Sequence, residues 1–310
     1  MSALSRRDLL LAGSALATTF GLAGLAEGLA PRRRALRVAH MTDFHIQPEA
    51  NAVPGSIKAL QHATKQKPDL ILGGGDLIMD AFAQTEARSR TQWDLFMKVT
   101  KEHANAPVRP CLGNHDVWGW NKKDSQTDGS ERQWGKKWFT DLFELPRTYY
   151  SFDMKGWHFV VLDNILLTPD GYNGVVDPEQ LEWLKSDLAA TKRPTLVLSH
   201  IPILSITPVA TAYNRQTGQW QVGGNMMTKN TDALRELFRS HPHVKIALSG
   251  HTHQVDRLDY AGVSYLCGGA VCGAWWGGAN AGFNPGYRLI DLYTDGTFTE
   301  TYQEWGWKPA

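Results

Sequence analysis

The sequence LRVAHMTDFH, residues 36–45, joins an apolar run to two polar side chains. Its first six residues have the composition of a β-strand. Asp43 and His45 follow this run, with Phe44 between them. Because alternate side chains of an extended segment project to opposite faces, Asp43 and His45 should share one face while Phe44 points to the other. We therefore expect this strand to present two possible metal ligands at its carboxyl end.

Four further predicted strands lead into residues of similar kinds, which are, in chain order, Asp76, Asn114, His200 and the pair His251 and His253. Ligands of open α/β sheets bind beyond the carboxyl ends of the strands, where these side chains should meet. A glycine precedes Asp76, Asn114 and His251, and we expect it to let the backbone turn sharply there. Each short pattern occurs by chance in many chains, but the ordered set of five predicts a metal site.

Helical patterns separate the predicted strands, and the first two of these helices are expected at 54–67 and 89–103. Strands that alternate with helices predict βαβ units and a sheet covered on both faces. Short antiparallel strands are expected near the end of the chain. Two long irregular segments, 117–148 and 203–229, interrupt the pattern, and loops of that length are uncommon unless they are functional or mobile. Because no repeat or linker is evident, residues 31–310 are expected to form one domain.

Composition excludes some classes of function. The 310 residues carry a formal net charge of +1, whereas a nucleic-acid-binding protein usually presents a basic face, so nucleic acid is not an expected partner. The three cysteines do not form a disulfide framework. We expect Cys111 to be a small buried residue. A disulfide between Cys267 and Cys272 stays open, although its geometry would be demanding.

The N-terminal residues are typical of an export signal. Arg6 and Arg7 precede a mildly apolar stretch, residues 11–30, that is rich in alanine and glycine. Paired arginines before a soft hydrophobic region resemble a twin-arginine signal. The alternative is a membrane anchor, which the glycines and Glu27 disfavour. We therefore predict a signal at residues 1–30, the twin-arginine translocation machinery as a partner, a periplasmic or extracellular location, and no stable membrane span in the mature protein.

Together, the strand ends resemble the signature blocks of the calcineurin-like metallophosphoesterase superfamily. The blocks are Asp43-x-His45, Gly75-Asp76, Gly113-Asn114-His115-Asp116, His200 and Gly250-His251-Thr252-His253. The resemblance covers residues 40–253 and implies an α/β fold, a four-layer α/β/β/α sandwich of two mixed sheets flanked by helices. It also implies two metal ions that share the carboxylate of Asp76. The remaining ligands would be Asp43, His45 and His253 for one ion, and Asn114, His200 and His251 for the other.

The residue types agree with this implied centre. Carboxylate, amide and imidazole ligands suit divalent or mixed-valence transition metal ions such as Mn, Fe, Zn or Co. Two such ions can hold a bridging hydroxide and clamp phosphoryl oxygens, which points to hydrolysis of phosphate mono- or diesters. A leaving alkoxide also needs a proton. His115 is the candidate general acid and Asp116 its possible orienting carboxylate. The alternative role for His115 is a hydrogen bond to a substrate oxygen.

Aromatic residues flank the predicted centre. Trp118 and Trp120 follow the third block, and Trp275 and Trp276 lie in a glycine-rich segment after the last block. Their rings are candidates for stacking on the base or sugar of a small phosphate ester. The alternative is that they pack the long segments against the domain.

The sequence leaves three functions to compare. The leading one is an exported phosphoesterase. The blocks are also similar to class III cyclic-nucleotide phosphodiesterases, so a nucleotide phosphodiesterase is the first alternative. The second is a non-catalytic metal-dependent binding protein, which His115 disfavours because a binding protein has no use for a proton donor. A purely structural metal site is not expected, because structural zinc prefers cysteine-rich tetrahedra.

Overall fold

The computed structural model describes residues 32–309 of the chain. The predicted signal, residues 1–30, lies outside the described residues. The helices of the described part are α1 Ala52–Lys65, α2 Glu86–His103, α3 Lys122–Ser125, α4 Lys137–Leu142, α5 Pro178–Ala190, α6 Thr207–Ala210 and α7 Thr231–Ser240. The strands are β1 Arg34–Met41, β2 Leu70–Gly73, β3 Val108–Pro110, β4 Tyr150–Met154, β5 Trp157–Val161, β6 Ile165–Thr168, β7 Gly171–Gly174, β8 Thr195–Leu198, β9 Tyr213–Asn214, β10 Gln219–Trp220, β11 Val244–Ser249, β12 Val255–Tyr260, β13 Val263–Gly268, β14 Gly286–Tyr293 and β15 Phe298–Glu304.

Two mixed sheets contain most of these strands. The first has the order β15-β14-β1-β2-β3, in which β1, β2 and β3 are parallel and β14 is antiparallel to both of its neighbours. The second has the order β12-β13-β11-β8-β5-β4, in which the four inner strands are parallel and the two outer strands are antiparallel to them. In each sheet, the carboxyl ends of the parallel strands therefore lie at one edge.

The two sheets pack face to face with helices outside them. Val38 of β1 belongs to an apolar cluster between the sheets that also contains Leu198 and Leu248. The next residue, Ala39, points to the other face and joins a cluster with Phe96 of α2. A third cluster, which includes Leu184 of α5, covers the outer face of the second sheet together with α7. This arrangement confirms the expected four-layer α/β/β/α sandwich.

The two irregular segments contain more local structure than their sequences indicate. Residues 117–148 include α3 and α4, and Trp138 and Phe139 of α4 are buried. The Arg90 guanidinium lies over the Trp138 ring, 5.0 Å from its centre. Residues 203–229 include α6 and the small β9–β10 hairpin. The first segment is therefore packed against the domain rather than attached as a loose loop.

All three cysteines are buried and free. The thiol of Cys267 donates to the carbonyl oxygen of Gly250, and that of Cys272 to the carbonyl oxygen of Gly273. The disulfide left open by the sequence is therefore not formed in this structure.

None of the helices within residues 32–309 has the length and apolar character that a membrane span requires.

Candidate metal centre

The seven predicted ligands meet where the parallel strands of both sheets end. The first sheet contributes Asp43 and His45 after β1, Asp76 after β2 and Asn114 after β3. The second contributes His200 after β8, and His251 and His253 after β11. All are buried except His251, which is partly exposed. Residues far apart in the sequence thus form one cluster.

The backbone after β1 is not extended where it enters this cluster, contrary to the sequence-based expectation. Asp43 and His45 have φ angles of 56° and 43°, in the left-handed region. Their amides donate to the carbonyl oxygens of Gly75 and Asp76, each at 3.0 Å. Phe44 still turns away into the core, where its ring packs edge-on against Phe96. The two side chains do reach one site, but a kinked segment rather than an extended one carries them there.

The three glycines that precede ligands serve two different purposes. Gly75 has φ 94°, so it does allow the sharp turn that the sequence predicts. Gly113 and Gly250 do not adopt a left-handed conformation, so the predicted sharp turn is wrong at these two positions. A Cβ atom at Gly113 would overlap Asp76, and one at Gly250 would overlap the side chains of Thr42 and Asp43, so both positions need the absence of a side chain.

The first half of the site is formed by Asp43, His45, Asp76 and His253. Nε2 of His45 lies 3.1 Å from Nε2 of His253 and 3.6 Å from Oδ2 of Asp76. Nε2 of His253 lies 3.2 Å from Oδ1 of Asp43. Four potential ligand atoms therefore surround a small common volume.

The second half is formed around His200. Its Nε2 lies 3.1 Å from Oδ2 of Asp76, 3.2 Å from Oδ1 of Asn114 and 3.3 Å from Nδ1 of His251. Oδ2 of Asp76 thus faces histidines of both halves. That is the geometry a carboxylate needs to bridge two ions.

Hydrogen bonds behind the histidines explain why these atoms can accept a cation. Nδ1 of His200 lies 2.9 Å from the carbonyl oxygen of Gly74, and Nδ1 of His253 lies 2.5 Å from that of Gly273. A ring that donates through Nδ1 presents a lone pair at Nε2. Two Nε2 lone pairs of His45 and His253 at 3.1 Å would repel each other, so either the Nε2 atom of His45 carries a hydrogen and donates to His253, or a metal ion lies beside both atoms. The donor set therefore fits a pair of transition metal ions.

Charge and burial set the protonation of the metal-free cluster. Burial opposes ionisation, yet the neighbouring His253 lowers the pKa of Asp43 to about 2. Burial would likewise lower the pKa of His200, but the Asp76 carboxylate raises it to about 9. Burial lowers the pKa of His45 to about 3 and that of His251 to about 4. In the metal-free cluster, protons on some histidines, such as His200, therefore balance the negative charge of the carboxylates. Bound metal ions would supply that positive charge instead.

His115 lies beside the cluster, with its side chain partly exposed. Its ring packs edge-on against His45, with centres 4.8 Å apart, and its backbone amide donates to Oδ1 of Asp76 at 2.9 Å. Burial would lower the pKa of His115, but the charges of Asp76 and Asp80 raise it to about 9. The residue is therefore available as a proton donor at the rim of the site. Its ring also lies within ligand distance of His45 and Asp76.

The predicted orienting role of Asp116 is not supported by its contacts. Its carboxylate is fully buried and accepts the backbone amides of Leu77, Ile78 and Gly113. Asp116 therefore holds together the loops that follow β2 and β3. The carboxylate facing His115 belongs to Asp80, whose Oδ1 lies 3.4 Å from Nδ1 of His115.

The sequence reasoning did not identify Asp80. Its position after the Gly75-Asp76 block was visible, but its relation to His115 depends on how two separate loops fold. The Asp80 carboxylate is fixed by the amides of Phe82 and Ala83, and its own amide donates to Gln92 of α2.

The four predicted substrate-binding tryptophans have different surroundings. Trp118 and Trp276 are buried, and their indole nitrogens donate to the carbonyl oxygens of Gln84 and His45. That burial argues against substrate contact and gives both rings a packing role. Trp120 is half-buried. Trp275 is 47% exposed, and its ring centre lies 4.6 Å from that of His253. The structure thus leaves Trp120 and Trp275 as candidates for substrate contact.

Comparison with known proteins gives the wider context of this site. The family model described as calcineurin-like phosphoesterase matches residues 36–255, which include all seven predicted ligands. The chain is 26% identical to a probable cyclic nucleotide phosphodiesterase of Synechococcus, over 74% of this chain and 78% of that protein. It is 25% identical to the 3′,5′-cyclic adenosine monophosphate phosphodiesterase CpdA of Pseudomonas aeruginosa, over 77% and 76% of the two chains.

The fold also matches solved structures. A dimetal phosphatase from Danio rerio superimposes with a TM-score of 0.61, covering 88% of this chain and 97% of that one. The two sequences are 15% identical, so this likeness concerns the fold alone.

Proposed function

Because the chain belongs to the calcineurin-like phosphoesterase family, whose members hydrolyse phosphoester bonds, we propose that it hydrolyses a small phosphate mono- or diester at the cluster beyond the parallel strands. Two metal ions would take part in this reaction. The residues that would hold them are Asp43, His45, Asp76, Asn114, His200, His251 and His253. The observation that carries this proposal is the position of Asp76. Its Oδ2 lies 3.6 Å from Nε2 of His45 and 3.1 Å from Nε2 of His200, so one oxygen serves both halves.

The family uses a binuclear metal centre, and the mixed oxygen and nitrogen donors here suit Mn, Fe, Zn or Co ions. When bound, such ions supply Lewis acidity that activates water and neutralises charge on the phosphoryl group. The chain contributes the geometry. Carbonyl oxygens behind His200 and His253 fix the orientation of these rings, and burial excludes bulk water from the carboxylates.

His115 supplies the proton that the leaving group needs. Its Nδ1 faces Asp80, so Nε2 is the atom that would donate to the departing oxygen. The Asp80 carboxylate stabilises the protonated ring in this orientation. These contacts favour an enzyme over a non-catalytic binding protein, since such a protein would not need a proton donor held beside the site.

Cyclic-nucleotide or nucleotide phosphodiester hydrolysis is the second candidate. The relatives from Synechococcus and Pseudomonas aeruginosa are named as cyclic nucleotide phosphodiesterases, which supports it. Trp275 also offers an exposed aromatic face beside His253. A comparison of kcat/KM for 3′,5′-cyclic AMP and for 5′-AMP with the metal-loaded protein would separate diester from monoester preference.

We also propose that the protein acts outside the cytoplasm, after export by the twin-arginine route. The support is the Arg6-Arg7 pair and the alanine- and glycine-rich stretch that follows it. That route carries folded proteins, so the metal centre would form before export. The substrate of the mature protein would then be a periplasmic or extracellular phosphate ester.

The direct test of hydrolysis uses protein stripped of metal and then loaded separately with Mn, Fe, Zn or Co ions. We expect turnover of bis-p-nitrophenyl phosphate or p-nitrophenyl phosphate only after loading, with about two ions bound per chain. Metal-loaded protein that binds both ions but turns over neither ester, nor cyclic AMP, would instead support the non-catalytic alternative.

A further inference from the structure

A cavity of about 540 Å³ is lined by residues from three separate segments of the chain and by none of the seven predicted ligands. It is formed by Phe82, by Trp120 and Trp134 of the segment after β3, and by the turn between β6 and β7, which contains Asp170. This volume is within the range of small-molecule sites, roughly 300–1,000 Å³.

The aromatic wall of the cavity is held rigidly. The indole nitrogen of Trp120 donates to the carbonyl oxygen of Thr168 at 2.7 Å, and that of Trp134 to the carbonyl oxygen of Gly119 at 2.8 Å. The two rings stack with their centres 4.6 Å apart and their planes at 26°. Because both N–H groups are used by the backbone, the wall offers a guest its ring surfaces and edges rather than hydrogen bonds. A preformed aromatic wall suits a flat ring system.

Two residues connect this cavity to the metal centre. The backbone amide of Phe82 donates to Oδ1 of Asp80, the same oxygen that faces His115. The Phe82 ring lies 6.3 Å from that of Tyr172, which in turn lies 6.3 Å from the ring of His251. The wall of the cavity is therefore continuous with the surroundings of the proton donor and of one predicted ligand.

The polar groups of the cavity differ in whether they already have a hydrogen-bond partner within the protein. Nζ of Lys122 donates to the carbonyl oxygen of Asp128 and lies 5.2 Å from the centre of the Trp134 ring. The Asp170 carboxylate is exposed at the turn and has no hydrogen-bond or ion-pair partner among residues 32–309. It is thus a free acceptor at the edge of an aromatic wall. A guest with N–H or O–H donors on a flat ring or an attached sugar would satisfy it.

We propose that this cavity binds the organic part of the phosphate ester and selects a nucleoside-like group, a flat ring system that carries N–H or O–H donors. The inference rests on the proposed hydrolysis and names its substrate class. The ring would stack on the tryptophan wall while Asp170 accepts a hydrogen bond from the base or the sugar. An alkyl chain would use the wall but would gain no hydrogen bond from Asp170.

The test compares two diesters that release the same p-nitrophenolate. One is thymidine 5′-(p-nitrophenyl phosphate) and the other is methyl p-nitrophenyl phosphate. For each variant, the measured quantity is the ratio of kcat/KM for the thymidine ester to that for the methyl ester. Stacking of a base on an aromatic side chain is worth about 1–3 kcal/mol, so Trp120→Ala should lower this ratio by roughly 5- to 150-fold. Asp170→Asn, at an exposed turn, should lower it by about tenfold.

Trp220→Ala is the matched control, because Trp220 is 62% exposed on the β9–β10 hairpin and does not line the cavity. It should leave the ratio unchanged. Circular dichroism and thermal melting check that each variant folds, and Asp170→Asn keeps the test decisive if Trp120→Ala does not fold.

The outcomes separate this inference from the proposed function. If neither ester is hydrolysed by metal-loaded protein, the proposed hydrolysis fails, and calorimetric titration with thymidine 5′-monophosphate then tests the cavity directly. Weaker binding by Trp120→Ala or Asp170→Asn than by the Trp220→Ala control supports the nucleoside site. The nucleoside site is overturned if folded Asp170→Asn protein shows an unchanged ratio of kcat/KM for the two esters and an unchanged affinity for thymidine 5′-monophosphate. Equal preference for the thymidine ester and a long-chain alkyl p-nitrophenyl phosphate also overturns it, since the cavity would then select apolar groups in general.

Discussion

Nδ1 of His115 lies 3.4 Å from Oδ1 of Asp80, although the chain places Asp116 directly after His115. The Asp116 carboxylate points the other way and accepts three backbone amides. Two acidic residues near one histidine thus have separable roles, one in orienting the proton donor and one in holding the loops.

Replacing His115 with Ala should leave both metal ions bound, because His115 is not one of the proposed ligands. The variant should lose roughly a hundredfold or more in kcat on an ester with a basic alkoxide leaving group, the usual scale of acid–base catalysis. On a p-nitrophenyl ester, whose leaving group needs no proton, the loss should be much smaller. Equal losses on both esters with unchanged metal content would mean that His115 binds phosphate oxygens. Loss of metal would mean that it is a ligand.

Asp80→Asn and Asp116→Asn should have different signatures. Asp80→Asn should lower kcat selectively on the alkoxide ester, because it removes the negative charge that faces Nδ1 of His115. Asp80 also accepts the amides of Phe82 and Ala83, but its side chain is partly exposed, so its loss in melting temperature should be smaller than that of the fully buried Asp116. Asp116→Asn should lower the free energy of unfolding by about 2 kcal/mol or more, because a carboxylate acceptor of buried amides is lost. Chemical denaturation and paired kinetics measure both effects. If Asp116→Asn instead shows the leaving-group dependence at unchanged stability, the orienting role belongs to Asp116.

Asp76→Ala should lower the total metal content and abolish hydrolysis, because one carboxylate oxygen faces both halves of the site. Elemental analysis after dialysis, together with a p-nitrophenyl ester assay, provides the measurement. Asp94→Ala, an exposed aspartate on α2, is the matched control and should behave as the unmodified protein. Two bound metals and normal turnover in the Asp76→Ala variant would refute the binuclear assignment.

His158 should make part of the stability depend on pH. Its ring nitrogens lie 2.8 Å from Oδ1 of Asp153 and 2.9 Å from Oδ2 of Asp187. Burial opposes protonation, but the hydrogen bonds to these carboxylates raise the pKa of His158 above its usual 6.5. A raised pKa means that folding favours the charged ring. The stabilisation is therefore fully present below about pH 6.5 and is lost as the pH rises through the higher folded pKa.

Melting curves of the unmodified protein and of His158→Gln at several pH values test this sign. The difference in melting temperature should be larger near pH 5.5 than near pH 9, within the range where both proteins remain folded. Asp187→Asn should reduce the same pH dependence, because it removes one of the two partners. A difference that grows with rising pH would contradict the assignment.

Export should depend on the paired arginines. A reporter fused after residue 35 should cross the membrane only in cells with a working twin-arginine system. Replacing Arg6 and Arg7 with Lys should retain the reporter in the cytoplasm, because that system recognises the arginine pair. Reporter activity in the periplasmic fraction is the readout. Export of the double-Lys form through the general secretory route would exclude the proposal.

The fold and the grouping of the seven predicted ligands could be anticipated from the sequence because both depend on strand order. Parallel strands bring their carboxyl ends to one edge whatever the loops do, so Asp76 and Asn114 had to approach each other. The orientation of Asp116 could not be anticipated, because it depends on a tight turn after β3 rather than on a periodic pattern. The same applies to Trp118 and Trp120, since neighbouring tryptophans in an irregular segment give no period from which burial can be inferred.

The left-handed backbone at the strand ends was also invisible in the sequence. Asp43, His45, Asp76, His251 and His253 all have positive φ, although none is glycine. Residues with side chains at such angles cost about 1–3 kcal/mol each. A sequence-design procedure asked only to stabilise this backbone would therefore place glycine or asparagine at these positions and remove the proposed ligands. Thermostability and chemistry make opposing demands on the same five positions, and engineering for heat resistance should leave these strand ends unchanged and work elsewhere.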